Sequence, residues 1–334
     1  MIERNYNLDL IRIFDIILII IMHSPIPGAG TSGIVLSGLS FLAAPGIGLF
    51  IMISGALLLD NNLSQKDFLK RRFSKILYPT LIWTFIYLIN KFIAESVSAC
   101  DVIKSILSVP FSEQGHGVLW FMYTLAGLYL LTPILSKWIQ NATRNEVRFY
   151  LLVWGISLLY PYLSLYLDVK TEYTGILYYF SGYVGYFVLG YYLRKWIINQ
   201  EKVFNLHLLC WAAIVLCILI VGFIKLIYPN LSIGVFFWYL SLPVAIMSTS
   251  YFILLGNVQI VHSKNLIISL SKLSFGVYLI HILIMRTLLW NISFISNSGP
   301  YLHILIVAVL TIFISWLFSW IISKLSISKY LIGI

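Results

Sequence analysis

Charge is what this chain has least of. Of its 334 residues only 22 are Lys or Arg and 12 are Asp or Glu, 10% in all, where a soluble globular domain carries roughly 25%. With 60% apolar residues beside that scarcity, a soluble enzyme, a coiled coil and a disordered chain are excluded. Cysteine is scarce too: Cys100, Cys210 and Cys217 form no metal-ligand spacing and imply no disulfide, and the last two fall inside an apolar segment as small buried side chains. The first apolar stretch lacks a small-residue cleavage site and holds Asp9, Arg12 and Asp15, so it reads as a retained membrane helix and not a signal peptide. Internal repeats, low-complexity tracts and metal-binding constellations are missing as well. The triplet Gly28, Gly30 and Gly33 matches a dinucleotide-binding spacing but follows a membrane helix, which makes it a turn.

What is present is a series of long apolar runs. Ten of them reach the roughly 20 residues that cross a bilayer, at roughly 8–26, 39–59, 76–95, 117–136, 148–167, 175–193, 205–228, 234–256, 273–292 and 302–323. The expectation is an all-α integral membrane protein of about ten transmembrane helices, a single membrane domain over 1–334 with no appended soluble domain. An even count puts both termini on one side. Arg4, the run Lys66, Lys70, Arg71, Arg72 and Lys75, and most remaining Lys and Arg fall on that side, which the positive-inside rule makes cytoplasmic. The net charge of +10 is therefore topological, spread among loops and not gathered into a face for nucleic acid. Pro79, Pro133, Pro161 and Pro243 lie in or beside spans, where they are expected to kink them.

Ionisable groups in hydrocarbon are costly and point to function. The first span holds four: Asp9, Arg12, Asp15 and His23. Arg12 and His23 are eleven positions apart, close to three turns, so they share a face with roughly 16 Å of axial separation. Asp9 and Asp15 lie three positions either side of Arg12 and are placed to reach its guanidinium. A charged anchor with an imidazole further along the same wall suits a long anionic donor whose reactive end meets the histidine. The bland alternative is a snorkelling arginine and a structurally satisfied histidine.

The segment Leu8-Asp9-Leu10-Ile11-Arg12 followed by His23 resembles the first-helix signature of the acyltransferase 3 family of bacterial membrane acyltransferases, which modify surface glycans. Also similar to that family are Gly48-Leu49-Phe50-Ile51-Met52-Ile53-Ser54-Gly55, the run Lys70 to Pro79, Leu119-Trp120-Phe121, Leu131-Thr132-Pro133, Phe187 to Tyr191, and Ser274 to His281. The matches run in order from about residue 8 to about residue 320, and the pattern resembles the branch with the O-acetyltransferases of enterobacterial common antigen and O-antigen. The resemblance implies transfer of an acyl group, usually acetyl from acetyl-CoA, to a glycan hydroxyl at the bacterial inner membrane. Its partners would be the acyl-CoA, a glycan or lipid-linked glycan, and the bilayer; neither metal nor nucleic acid is implied.

In that picture Arg12 helps anchor the donor, and His23 is the general base on the acceptor hydroxyl or a transient acyl carrier. A neutral imidazole suits proton abstraction near neutral pH. Ser54, Tyr278 and His281 are candidate oxyanion donors. His281 is the second candidate catalytic histidine, beside Tyr278 on one helix face. Arg71, Arg72 and Lys75 suit the phosphates of coenzyme A, although topology alone accounts for a basic cluster there. Asp9, Trp120 and the loop residues Glu113 and His116 are candidate acceptor-binding groups. Two departures stand out: Val118 occupies a position where the family often has histidine, with His116 nearest, and Asp15 replaces an expected small apolar residue. The rival reading is a glycolipid or polysaccharide transporter or flippase, weakened by the lack of repeated halves. A non-catalytic partner of a glycan-export complex is the third.

Overall fold

The computed structural model describes residues 4–25, 34–61, 63–95, 98–108, 119–167, 175–198, 203–228, 236 and 238–334. Among them every regular element is helical. In chain order these are α1 (Tyr6–His23), α2 (Ile34–Ala43), α3 (Pro45–Leu58), α4 (Gln65–Glu95), α5 (Ala99–Ser108), α6 (Trp120–Asn141), α7 (Arg144–Ser157), α8 (Tyr160–Leu167) and α9 (Val184–Trp196). They continue as α10 (Val203–Ile227), α11 (Leu242–Gly256), α12 (Lys264–Thr287), α13 (Ser293–Ser296), α14 (Pro300–Ser323) and α15 (Ser328–Ile332). Five stretches are long and apolar enough to cross a membrane: Gly38–Leu58, Gln65–Ile93, Asn205–Ile227, Lys264–Asn291 and Tyr301–Ser323. The other five predicted spans overlap helices that are shorter, less apolar or more charged.

Proline explains where predicted boundaries differ. Pro161 and Pro243 are the second residues of α8 and α11 and so begin helices instead of kinking them. A missing N–H is tolerated in a first turn, where it has no intrahelical partner. The predicted span 148–167 is accordingly two helices with a break at Leu158 and Leu159, because Pro161 cannot donate to the Ser157 carbonyl. Pro79 and Pro133 do lie inside α4 and α6. The basic run at 70–75 belongs to α4 itself, which begins at Gln65 and not at the predicted 76.

The chain forms two compact units, 1–61 with 134–268, and 62–133 with 269–334. In the first, α1, α3, α9 and α11 pack through small residues. A Cβ on Gly55 would lie 1.8 Å from the Phe187 carbonyl oxygen, and one on Gly190 would lie 1.9 Å from that of Met52. Only glycines allow backbones that close, the device by which membrane helices gain dispersion contacts. The side chain of Asn5 caps α1 by accepting from the backbone N–H groups of Asn7 and Leu8. Asn7 Nδ2 in turn donates to the Leu255, Gly256 and Val258 carbonyls at 3.2, 2.7 and 2.9 Å, satisfying the end of α11. A second apolar cluster joins Phe41 and Ala44 to Ile214, Cys217, Val221, Val244 and Met247. Cys210 and Cys217 are buried free thiols, as their apolar surroundings predicted. Burial ranks the helices: 83% of the Gly38–Leu58 window is interior against 22% of Asn205–Ile227, whose Leu208, Trp211, Leu219 and Phe223 point outward. Such a face suits lipid.

In the second unit, α15 and the residues after it pack on α4. Pro79 leaves the Lys75 carbonyl without its usual helical donor. Gly333, at φ +72°, approaches that oxygen so closely that a Cβ there would stand 2.5 Å from it. Trp83 Nε1 donates to the Leu331 carbonyl at 2.9 Å. The Tyr87 hydroxyl reaches α12, donating to the Leu279 carbonyl at 2.9 Å and accepting from the Leu283 N–H at 3.2 Å.

Candidate active site

In the first unit α1 carries the chemistry. Ile16 and Ile19, which flank the line from Arg12 to His23 on the helix surface, are fully buried. The face bearing the two polar side chains is therefore turned into the protein, while Arg12 and His23 themselves are only half-buried. His23 is the last residue of the helix, and its Nδ1 lies 2.8 Å from the Ile19 carbonyl oxygen. A carbonyl only accepts, so the neutral ring carries its proton on Nδ1 and its lone pair on Nε2. The backbone one turn earlier thus sets the tautomer a general base needs. Ser24, next in the chain and fully buried, donates its hydroxyl to the Ile20 carbonyl at 2.7 Å and closes the helix end.

The two acids near Arg12 have different fates. Arg4 holds both carboxylate oxygens of the buried Asp9, at 2.6 and 3.0 Å. That hydrogen bond lifts the Arg4 guanidinium above its ordinary pKa, against a smaller opposing effect of desolvation. Helical spacing did not reveal this partner, because Arg4 precedes the helix, where three-and-four spacing does not apply. Asp15 is fully buried, and neither of its carboxylate oxygens has a hydrogen-bond partner among the described residues. Ser54, buried on α3, donates to the Phe50 carbonyl at 3.0 Å; with its single proton so committed, it offers an oxyanion no donor in this arrangement.

The second unit gathers the remaining described candidates. Arg71 and Lys75 are exposed one turn apart on α4, with Arg72 half-buried beside them. On α12, His281 and Tyr278 are both 2% exposed, with ring centroids 5.6 Å apart, and Phe121 meets Tyr278 edge-on at 5.8 Å. His281 Nδ1 lies 2.6 Å from the Tyr278 carbonyl oxygen, so its neutral tautomer also places the lone pair on Nε2. Trp120 is half-buried at the start of α6, its ring 6.1 Å from that of Phe121. Arg286 is exposed near the end of α12. Tyr87, which the sequence offered only as one more aromatic in an apolar span, bridges the backbone step on α12 that brackets His281. Glu113 and His116 lie outside the described residues. Among the described residues no cluster of His, Cys, Asp or Glu is placed to hold a metal ion.

A helical membrane chain with an arginine and a tautomer-fixed histidine on one inward helix face has the parts of an acyl-transfer catalyst. The model of an acyltransferase domain, that of acyltransferase family 3, matches residues 5–320, so the chain belongs to that family and is a membrane acyltransferase. No curated protein and no solved structure matches it.

Proposed function

We propose that this protein is an O-acetyltransferase of the bacterial inner membrane. It moves acetyl from acetyl-CoA to a hydroxyl of a cell-surface polysaccharide or its lipid-linked precursor. One observation carries the reading: on the inward face of α1, a half-buried guanidinium stands three turns from an imidazole whose Nδ1 is committed to the Ile19 carbonyl. His23 Nε2 takes the proton of the acceptor hydroxyl as its oxygen attacks the thioester carbonyl. The C–O bond forms, the C–S bond breaks, and the imidazolium returns its proton to the departing thiolate. Arg12 anchors an anionic part of the donor. On α4, Arg71 and Lys75 share a face with Arg72 beside them, a basic run whose chemistry suits phosphate. His281, with Tyr278 stacked on it, is the second imidazole able to carry a proton or an acyl group. With about ten spans and both termini cytoplasmic, a topology that is part of this proposal, the basic run lies on the side where coenzyme A is found.

The test is mass spectrometry of surface glycan from cells lacking the gene and complemented with wild-type or His23→Ala protein at equal membrane levels. The reading expects an acetyl mass increment that depends on the gene and falls by about 100-fold or more with His23→Ala while glycan export continues. Modification unchanged by His23→Ala, or loss of glycan export, would overturn it.

A further inference from the structure

The end of the first unit at which α1 finishes is rich in aromatic rings that the chemistry above leaves unused. There α1 and α11 run antiparallel: Asn7, in the first turn of α1, meets the carbonyls at the end of α11, whereas Met22, in the last turn, meets Tyr239, just ahead of α11. The Tyr239 hydroxyl donates to Met22 Sδ at 3.7 Å, next in the chain to His23. The Tyr239 carbonyl accepts from the Tyr186 hydroxyl of α9 at 2.7 Å, and the Tyr186 ring in turn meets that of Trp154 on α7 edge-on at 5.0 Å. Trp238 is held as firmly. Its carbonyl accepts from the Ser241 N–H at 2.9 Å, and its indole lies 5.8 Å from the Tyr239 ring at an interplanar angle of 36°. Yet Trp238 is 48% exposed.

We propose that Trp238 and Tyr239 form a subsite for the acceptor glycan, in which the Trp238 indole stacks on a sugar ring near the one whose hydroxyl His23 deprotonates. Deepening the proposed function, this inference rests on His23 acting on a glycan hydroxyl. An exposed ring on a fixed backbone is a preorganised face, and little ordering is left to offset the contact it makes. A sugar suits it. The C–H bonds gathered on one face of a pyranose carry partial positive charge and meet the negative face of the indole, while the hydroxyls around the rim stay hydrated. Anchoring at the membrane interface is the ordinary reason for an exposed tryptophan in such a chain. What sets Trp238 apart is the tie through Tyr239 to the residue beside the base, which fixes the distance from the aromatic face to the end of α1. Trp211, exposed on the outward face of α10, is the lipid-facing comparison.

The full chain in lipid nanodiscs, given acetyl-CoA labelled in its acetyl group, tests this with two acceptors isolated from cells lacking the gene, the surface polysaccharide and its lipid-linked precursor. Trp238→Leu keeps an apolar side chain for lipid but loses the aromatic face. It is expected to raise the KM for the glycan about fivefold or more, with kcat and the KM for acetyl-CoA within about twofold of wild type, because a remote ring is bound alike before and during reaction. Trp238→Phe, which keeps a ring face, is expected to stay within about twofold of wild type in every constant, and so is Trp211→Leu. In wild type, saturating glycan is expected to slow oxidation of Trp238 by N-bromosuccinimide about fivefold, read by peptide mass spectrometry, and to leave Trp211 unaffected. An unchanged glycan KM in Trp238→Leu, an equal rise in Trp211→Leu, a Trp238→Phe as impaired as Trp238→Leu, or oxidation of Trp238 indifferent to glycan would overturn the inference and leave the acyltransferase reading standing. Failure of wild type to acetylate either glycan would overturn both. The oxidation measurement decides even where a variant does not fold.

Discussion

Replacing Gly55 or Gly190 by alanine tests the packing that positions α1. The two glycines face each other's helices, Gly55 against the Phe187 carbonyl and Gly190 against that of Met52. A methyl on either would meet a carbonyl oxygen at 1.8 or 1.9 Å, where real contacts begin beyond 3.0 Å. Neither partner is a flexible side-chain tip, so α3 and α9 must move apart by more than 1 Å along the crossing. A radial gap of that size forfeits a quarter to a half of each dispersion contact across the seam, and overpacking of this kind costs about 3 kcal/mol or more. Thermal unfolding of purified protein in detergent, followed by tryptophan fluorescence, is expected to show Tm lowered by about 4 °C or more for each variant. Gly222→Ala is the control. Its Cβ would meet nothing within 4 Å, and the exchange should be neutral or stabilising by up to about 1 kcal/mol through helix propensity. If Gly55→Ala and Gly190→Ala melt with Gly222→Ala, the close crossing is wrong.

Two further outcomes follow from local hydrogen bonding. Glu146 closes a capping box at the start of α7, accepting from the Thr143 N–H at 2.6 Å and its hydroxyl at 2.7 Å. These bonds hold its carboxyl below the usual carboxylate pKa. A depressed folded pKa stabilises the helix start above the unfolded value of about 4.3 and loses that contribution as pH falls through the folded value. Amide exchange at 144–148, corrected for its intrinsic rate, should therefore accelerate between pH 6 and pH 3 in wild type and stay flat in Glu146→Gln; equal profiles would refute the box. Tyr87→Phe removes the donor to Leu279 and the acceptor for Leu283 on α12, at a cost of about 1 to 3 kcal/mol. A Tm unchanged from wild type in the same detergent assay would show that the bridge contributes nothing.

Residues with a simple helical relation were legible in the sequence. Arg12 and His23 share an inward face because eleven positions are nearly three whole turns, and Cys210 and Cys217, small side chains in an apolar segment, are buried. The partner of Asp9 was not legible. Arg4 lies outside the helix, and its reach depends on the path of the chain into α1. Nor was the break at Leu158, for hydropathy runs smoothly through Pro161 while the backbone does not.

Composition and run length made this a helical membrane chain, since unbroken apolar runs of about 20 residues match the length of a spanning helix and are twice that of a barrel strand. Periodicity alone put the arginine and the histidine on one face of the first helix. Tertiary structure decided the rest. It gave Arg4 to Asp9 and left Asp15 fully buried with no hydrogen-bond partner on its carboxylate among the described residues, because long-range packing selects which neighbours surround a side chain. The tautomer of His23 also had to await the fold, since it depends on a ring nitrogen standing 2.8 Å from one carbonyl oxygen.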